Sequence, residues 1–200
     1  MSVALPQPRL VLADTWSRSR IADVVTIAAA TTLTALCAQI SIPVPGSPVP
    51  VTGQTFAVLL SAAAIGPVRG AIAQALYVGL AMLGVPVLAD HASGSTAVFG
   101  ATGGYLLGFI VASVVVGSLA RRGWTRRPER VFVSYLAGSA VIYLLGVSWL
   151  ARSTGMPLGT AISLGMTPFL VGDLLKAALA AGVLPLAWRG VRKIEGDPES

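Results

Sequence analysis

Long apolar runs, separated by short links rich in proline, glycine or arginine, give the chain its pattern. Six runs approach the roughly 20 apolar residues that a membrane-crossing helix requires, at residues 24–42, 51–68, 70–89, 101–120, 131–150 and 168–188. Their length and the lack of two-residue alternation favour helix over strand. Asp23 stands at the start of the first run and predicts an N-cap there. The second run has a short apolar core, residues 56–65, so its helix is expected to be broken or partly enclosed by protein.

The links predict turns and loops. Residues 43–50, PVPGSPVP, contain four prolines and predict an extended or turning connection. GPVRG at 66–70 reads as a tight turn, while 84–100 and 151–163 read as loops. RRGWTRRPER, residues 121–130, is a basic link. The expected architecture is an all-α integral membrane protein. It has a cytoplasmic tail (1–23), a six-helix membrane domain (24–190) and a second cytoplasmic tail (191–200).

Composition agrees. Hydrophobic residues make up 54% of the 200 and charged ones 11%, against about 25% charged in soluble domains. The net charge of +6 is carried between the apolar runs, which fits topology and not a nucleic-acid partner. With the N-terminus inside, the inner segments hold 12 of the 14 basic residues. Arg152 is then the outer exception, and Lys176 lies within the sixth run. Both termini are therefore expected in the cytoplasm, and the first run reads as a retained span, not a removable signal. One cysteine, Cys37, excludes an intramolecular disulfide, and one histidine, His91, disfavours a zinc or haem site.

Several chemistries lack their residues. The chain has no GxxxxGK[ST], GxSxG or HExxH motif and no paired carboxylates within a run. That disfavours a P-loop ATPase, an intramembrane hydrolase and a carrier built on several buried acids. No repeated selectivity loop suggests a channel.

Asp173 and Lys176, three residues apart, share a face of the sixth predicted helix in its outer half. Charges within spans usually face a cavity. The pair can be an internal salt bridge, a ligand site, or one that becomes the other when filled. GATGGYLLGF, residues 100–109, has glycines that allow tight helix packing at Gly104 and Gly108. Alternatively, Gly103 and Gly104 let a ligand approach the backbone while Tyr105 supplies a ring and hydroxyl. In PVTGQTF, residues 50–56, Thr52 and Gln54 either cap the second helix or rim a cavity. Asp90 can reach the same cavity, whereas His91 is expected to face solvent. In the first run Ala28 and Thr32, and Ala30 and Thr34, offer a small-residue surface to a helix of this chain or of another membrane protein.

PVTGQTF, GATGGYLLGF and PFLVGDLLK (168–176), in this order on six runs, resemble the BioY family. That family comprises the biotin-binding S components of energy-coupling-factor (ECF) transporters. The resemblance covers nearly all of residues 24–190 and implies six membrane helices around a biotin site open to the outside. It implies that Asp173 and Lys176 contact biotin, with Gly103, Gly104 and Tyr105 matching the glycine-rich motif. Ala101 stands where that motif commonly has proline, and Asp90 where asparagine is often found. It further implies that Ala28, Thr32 and their neighbours dock on a membrane coupling subunit, and that partner ATPases supply the energy. The expected location is the bacterial cytoplasmic (inner) membrane. The alternatives are an S component for another vitamin and a self-contained secondary carrier.

Overall fold

The computed structural model describes residues 11–15 and 19–194. Eight α-helices follow in order among them: α1 (Arg20–Ala38), α2 (Gln54–Ile65), α3 (Pro67–Met82), α4 (Ser95–Val98), α5 (Gly103–Arg121), α6 (Pro128–Thr154), α7 (Leu158–Gly165) and α8 (Leu170–Ile194). A two-stranded antiparallel hairpin, β1 (Ser41–Ile42) and β2 (Val51–Thr52), pairs Ser41 with Thr52 and Ile42 with Val51.

Helix α5 is the centre of the bundle, packed by α2, α3 and α6. Glycine makes the α5–α6 contact close. A Cβ at Gly104 would stand 2.2 Å from Trp149 Cβ and 2.4 Å from the Leu145 carbonyl oxygen, and one at Gly108 would stand 2.9 Å from Ile142 Cα. Spaced four apart, both glycines lie on one face of α5 and let the two backbones approach. Helix α8 closes the far side with a buried row, Asp173, Ala177, Ala180, Leu184 and Trp188, at helical spacing. Its other faces expose Val171 (70%), Leu175 (63%) and Leu179 (61%). Large apolar side chains left outside on this scale suit a lipid environment.

By length and composition, α1, α5, α6 and the α7–α8 stretch Leu158–Lys193 are long and apolar enough to cross a membrane. Helix α2 has 12 residues, about 18 Å at 1.5 Å per residue, too short for a hydrocarbon layer of about 30 Å. Most of it is buried in protein, which satisfies its surroundings without lipid contact.

At the end of the bundle opposite Asp173, Val11 is fully buried and its methyl groups lie against Gly66. Asp14 fastens this segment to Arg69 (2.7 Å), which also pairs with Asp23 (2.7 Å). Burial works to raise the Asp14 pKa, but the hydrogen bonds from Arg69 and the Val11 N–H outweigh it and hold the carboxyl below its ordinary value.

Several local expectations are corrected. The first helix begins at Arg20, with Ser19 as N-cap accepting from the Ala22 N–H (3.1 Å), so Asp23 lies in its first turn. It ends at Ala38, because the chain then enters the hairpin. The second run divides. Val51 and Thr52 are strand, and Pro67 and Val68 belong to α3, whose first turn accepts proline without losing a hydrogen bond. The turn at 66–70 contracts to Gly66, whose φ of 88° suits a residue without Cβ. Residues 151–163 are mostly helical, as the end of α6 and the start of α7, and the 84–100 loop contains α4. Arg9, Arg18 and residues 195–200 lie outside the described residues.

Candidate functional site

A cavity of about 330 Å³ opens at the end of the bundle where α8 begins. It is within the range of small-molecule sites, about 300–1,000 Å³. Its wall combines helices α2, α5, α6 and α8 with two loops, residues 48–50 and 88–102. Leu106, Phe109, Ile142 and Phe169 make much of it apolar, and Lys176, Thr52, Gln54, Thr55, Tyr105 and Tyr143 place polar atoms at its edge.

The loops are fastened by side chains from the helices. Gln39 Nε2 donates to the carbonyls of Val87 (3.4 Å) and Leu88 (3.1 Å). Tyr77 O–H donates to the Val87 carbonyl (3.0 Å) and accepts from Gln54 Nε2 (2.6 Å). Across the cavity mouth, Ser47 O–H lies 3.0 Å from the Leu164 carbonyl and ties the hairpin loop to the end of α7.

Lys176 has all three of its donors engaged. Its ammonium donates to the Thr52 carbonyl (2.9 Å), Thr55 Oγ1 (2.7 Å) and Asp173 Oδ1 (3.1 Å). Asp173 is 6% exposed. Its Oδ1 also accepts from Thr55 O–H (3.2 Å), and its Oδ2 accepts from Tyr143 O–H. A buried carboxylate is tolerated when a cation and hydroxyls satisfy its lone pairs. The arrangement is thus an ion pair with both members fully hydrogen-bonded. Lys176 and Tyr143 line the cavity, while Asp173 stands behind them and also borders a groove between α6, α7 and α8.

The other residues singled out in the sequence divide among several roles. Thr52 and Gln54 do line the cavity, and Thr52 Oγ1 also accepts from the Gln54 N–H (3.3 Å) at the start of α2. Asp90 is at the cavity mouth, exposed, with its carboxylate 3.4 Å from Ser41 O–H; His91 is exposed beside it. Tyr105 lines the cavity and donates to the Gly165 carbonyl (2.8 Å). Gly103 and Gly104 face α6, where an added Cβ would meet Trp149. On α1, Ala30 and Thr34 are buried, with Thr34 Oγ1 accepting from Gln74 Nε2 of α3 (3.2 Å). Ala28 and Thr32 face outward with Val24, Val25 and Leu36.

Sequence reasoning missed Thr55 and Tyr143. Thr55 sits beside Gln54 in PVTGQTF and Tyr143 is one of several hydroxyls in its run, so neither stands out locally, and their meeting with Asp173 spans 118 and 30 positions of chain.

A family model described as the BioY family matches residues 11–193. The chain belongs to the BioY family. A BioY relative from Thermotoga maritima, a biotin transporter, is 41% identical over 155 residues, covering 76% of this chain and 86% of that protein. A probable biotin transporter BioY from Pyrococcus horikoshii is 40% identical over 148 residues, covering 74% and 85%. A crystal structure of the S component for biotin from an ECF-type ABC transporter superposes with a TM-score of 0.72 at 22% identity, over 90% of this chain and 96% of that one. That likeness establishes the shared fold.

Proposed function

We propose that this chain is the biotin-binding S component of a biotin uptake transporter. It captures biotin at the outer face and releases it inside with energy from partner ATPases. The observation that carries this reading is the cavity beside the hydrogen-bonded Asp173–Lys176 pair in a chain of the BioY family. Biotin offers a ureido group with donors and acceptors, an apolar thioether ring and chain, and a carboxylate. A largely apolar cavity edged by an ammonium and hydroxyls complements all of these.

In this reading α1, α2, α3, α5, α6 and α8 are the six helices of the membrane domain, the short α2 enclosed by its neighbours, with both termini in the cytoplasm of a bacterial cell and the cavity outside. The distribution of Lys and Arg supports that orientation. The chain lacks a P-loop motif, so uphill transport requires a membrane coupling subunit and ATPases. The outward face of α1, with Ala28 and Thr32, is the surface we assign to that subunit; Ala30 and Thr34 support it from within by packing on α3.

Equilibrium binding of labelled biotin to the purified protein in detergent tests the reading. Saturable binding that unlabelled biotin displaces, and thiamine and riboflavin do not, is the expected result. Displacement by thiamine or riboflavin would move the assignment to another vitamin, and ion-driven accumulation by the protein alone in liposomes would make it a secondary carrier.

Tyr143→Phe is expected to weaken biotin binding by about tenfold. It removes the donor to Asp173 Oδ2 while keeping the ring against Phe169, and a hydrogen bond to a charged group contributes about 1.5–3 kcal/mol. Isothermal titration of both proteins checks it; equal dissociation constants would remove Tyr143 from the site.

A further inference from the structure

The end of the bundle remote from the cavity carries a cluster of exposed cations. The turn between α5 and α6 (residues 121–130) holds five arginines, and the last turns of α8 hold Arg189, Arg192 and Lys193. Two contacts bring these segments together. Trp188 Nε1 donates to Thr125 Oγ1 (2.9 Å) in the interior, and the Arg126 guanidinium lies over the Trp188 ring, 4.7 Å from its centroid. Arg192 follows Trp188 by one turn and so lies on the same helix face. All eight cations are exposed, and among the described residues none is in an ion pair. Glu129 is the acid among them. Even counting Glu195, Asp197 and Glu199, which follow in the sequence, cations outnumber acids two to one.

We propose that this cluster binds the phosphate headgroup of an anionic phospholipid, clamped between the 121–130 turn and the end of α8. Charge complementarity selects the anion. A guanidinium held against a ring keeps N–H donors for phosphate oxygens. Trp124 selects the lipid over a soluble anion, since it is half-buried between the polar turn and the apolar helices, the position such rings take at a membrane interface, while the buried Trp188 holds Arg126 in place. Basic pockets at helix ends are established headgroup sites. Trp188 is 15 residues, about 22 Å, along α8 from Asp173, so this site is separate from the cavity and does not depend on what the cavity holds.

The test places the protein in nanodiscs of equal phosphatidylglycerol and phosphatidylcholine, extracts it in mild detergent, and counts retained lipids by native mass spectrometry. Wild type is expected to retain phosphatidylglycerol in several-fold excess. Arg126→Gln/Arg189→Gln/Arg192→Gln should reduce that retention at least fivefold in protein that remains folded, with only a small fall in melting temperature from loss of the Arg126–Trp188 stack. Should the triple variant fold poorly, Arg189→Gln/Arg192→Gln keeps the Arg126–Trp188 stack and should still lower retention at least twofold. Equal retention of the two lipids by wild type overturns the proposal. So does phosphatidylglycerol retention by a folded variant at the wild-type level, whatever that variant does to binding of an acidic protein partner.

Discussion

Lys176→Ala is expected to weaken biotin binding by about 100-fold and to lower thermal stability as well. Lys176 borders the cavity with all three donors engaged by the protein, so a ligand acceptor takes the place of one of those partners, and charged hydrogen bonds contribute about 1.5–3 kcal/mol each. The same substitution strips Asp173 of its cation at a position where it is 6% exposed. Breaking a buried pair from one side costs about 3–5 kcal/mol. Thr55 and Tyr143 still donate to the carboxylate, which moderates the loss. Asp173→Asn retains an acceptor for Lys176, so its melting temperature should fall less, while affinity still drops strongly. Dissociation constants from equilibrium dialysis, with melting curves on the same preparations, separate the two effects. Unchanged affinity in both variants would sink the site assignment.

Gly104→Val should prevent accumulation of folded protein. The obstacle is partly backbone: a Cβ there would lie 2.4 Å from the Leu145 carbonyl oxygen as well as 2.2 Å from Trp149 Cβ. No rotamer change relieves a clash with a carbonyl, so α5 and α6 must separate. Overpacking costs about 1–3 kcal/mol even where neighbours can shift, and more where they cannot. Gly182→Ala is the control, because an added Cβ there meets nothing within 4 Å. It should be neutral or stabilise by up to about 1 kcal/mol through helix propensity. Size-exclusion profiles and melting temperatures of Gly104→Val, Gly104→Ala and Gly182→Ala give the answer. A well-folded Gly104→Ala that has lost only biotin binding would mean that this glycine serves the ligand and not the packing.

These two cases show what the sequence makes legible. Asp173 and Lys176 are near neighbours on one helix, so spacing alone puts them on a common face, and their charge in an apolar run makes them conspicuous. The groups that complete the arrangement come from α2 and α6, and no local pattern connects Thr55 or Tyr143 to α8. The glycines of α5 were open to two readings because sequence gives spacing without the neighbour. The neighbour is Trp149, and its place opposite Gly104 follows from how α6 is set against α5. Helix limits moved where a cap or turn depends on one residue. Ser19, not Asp23, caps α1, and Gly66 alone makes the corner that a five-residue motif suggested. Helix α7 lies in a stretch that reads as loop, because its glycine and polar residues mask a short helix that is held against α6.

The cavity wall is made of two kinds of material. The α5–α6 part is locked by glycine-mediated contact between backbones, whereas residues 48–50 and 88–97 belong to segments fastened by side-chain hydrogen bonds from Gln39, Tyr77 and Ser47. Discrimination between ligands and the time a ligand stays are therefore set by different residues. Changes in the helical wall are expected to alter which molecule fits, while weakening a fastening at Gln39, Tyr77 or Ser47, which stand outside the cavity lining, is expected to speed entry and exit together with little change in the equilibrium. Residence time and selectivity can thus evolve, or be engineered, as separate properties of one site.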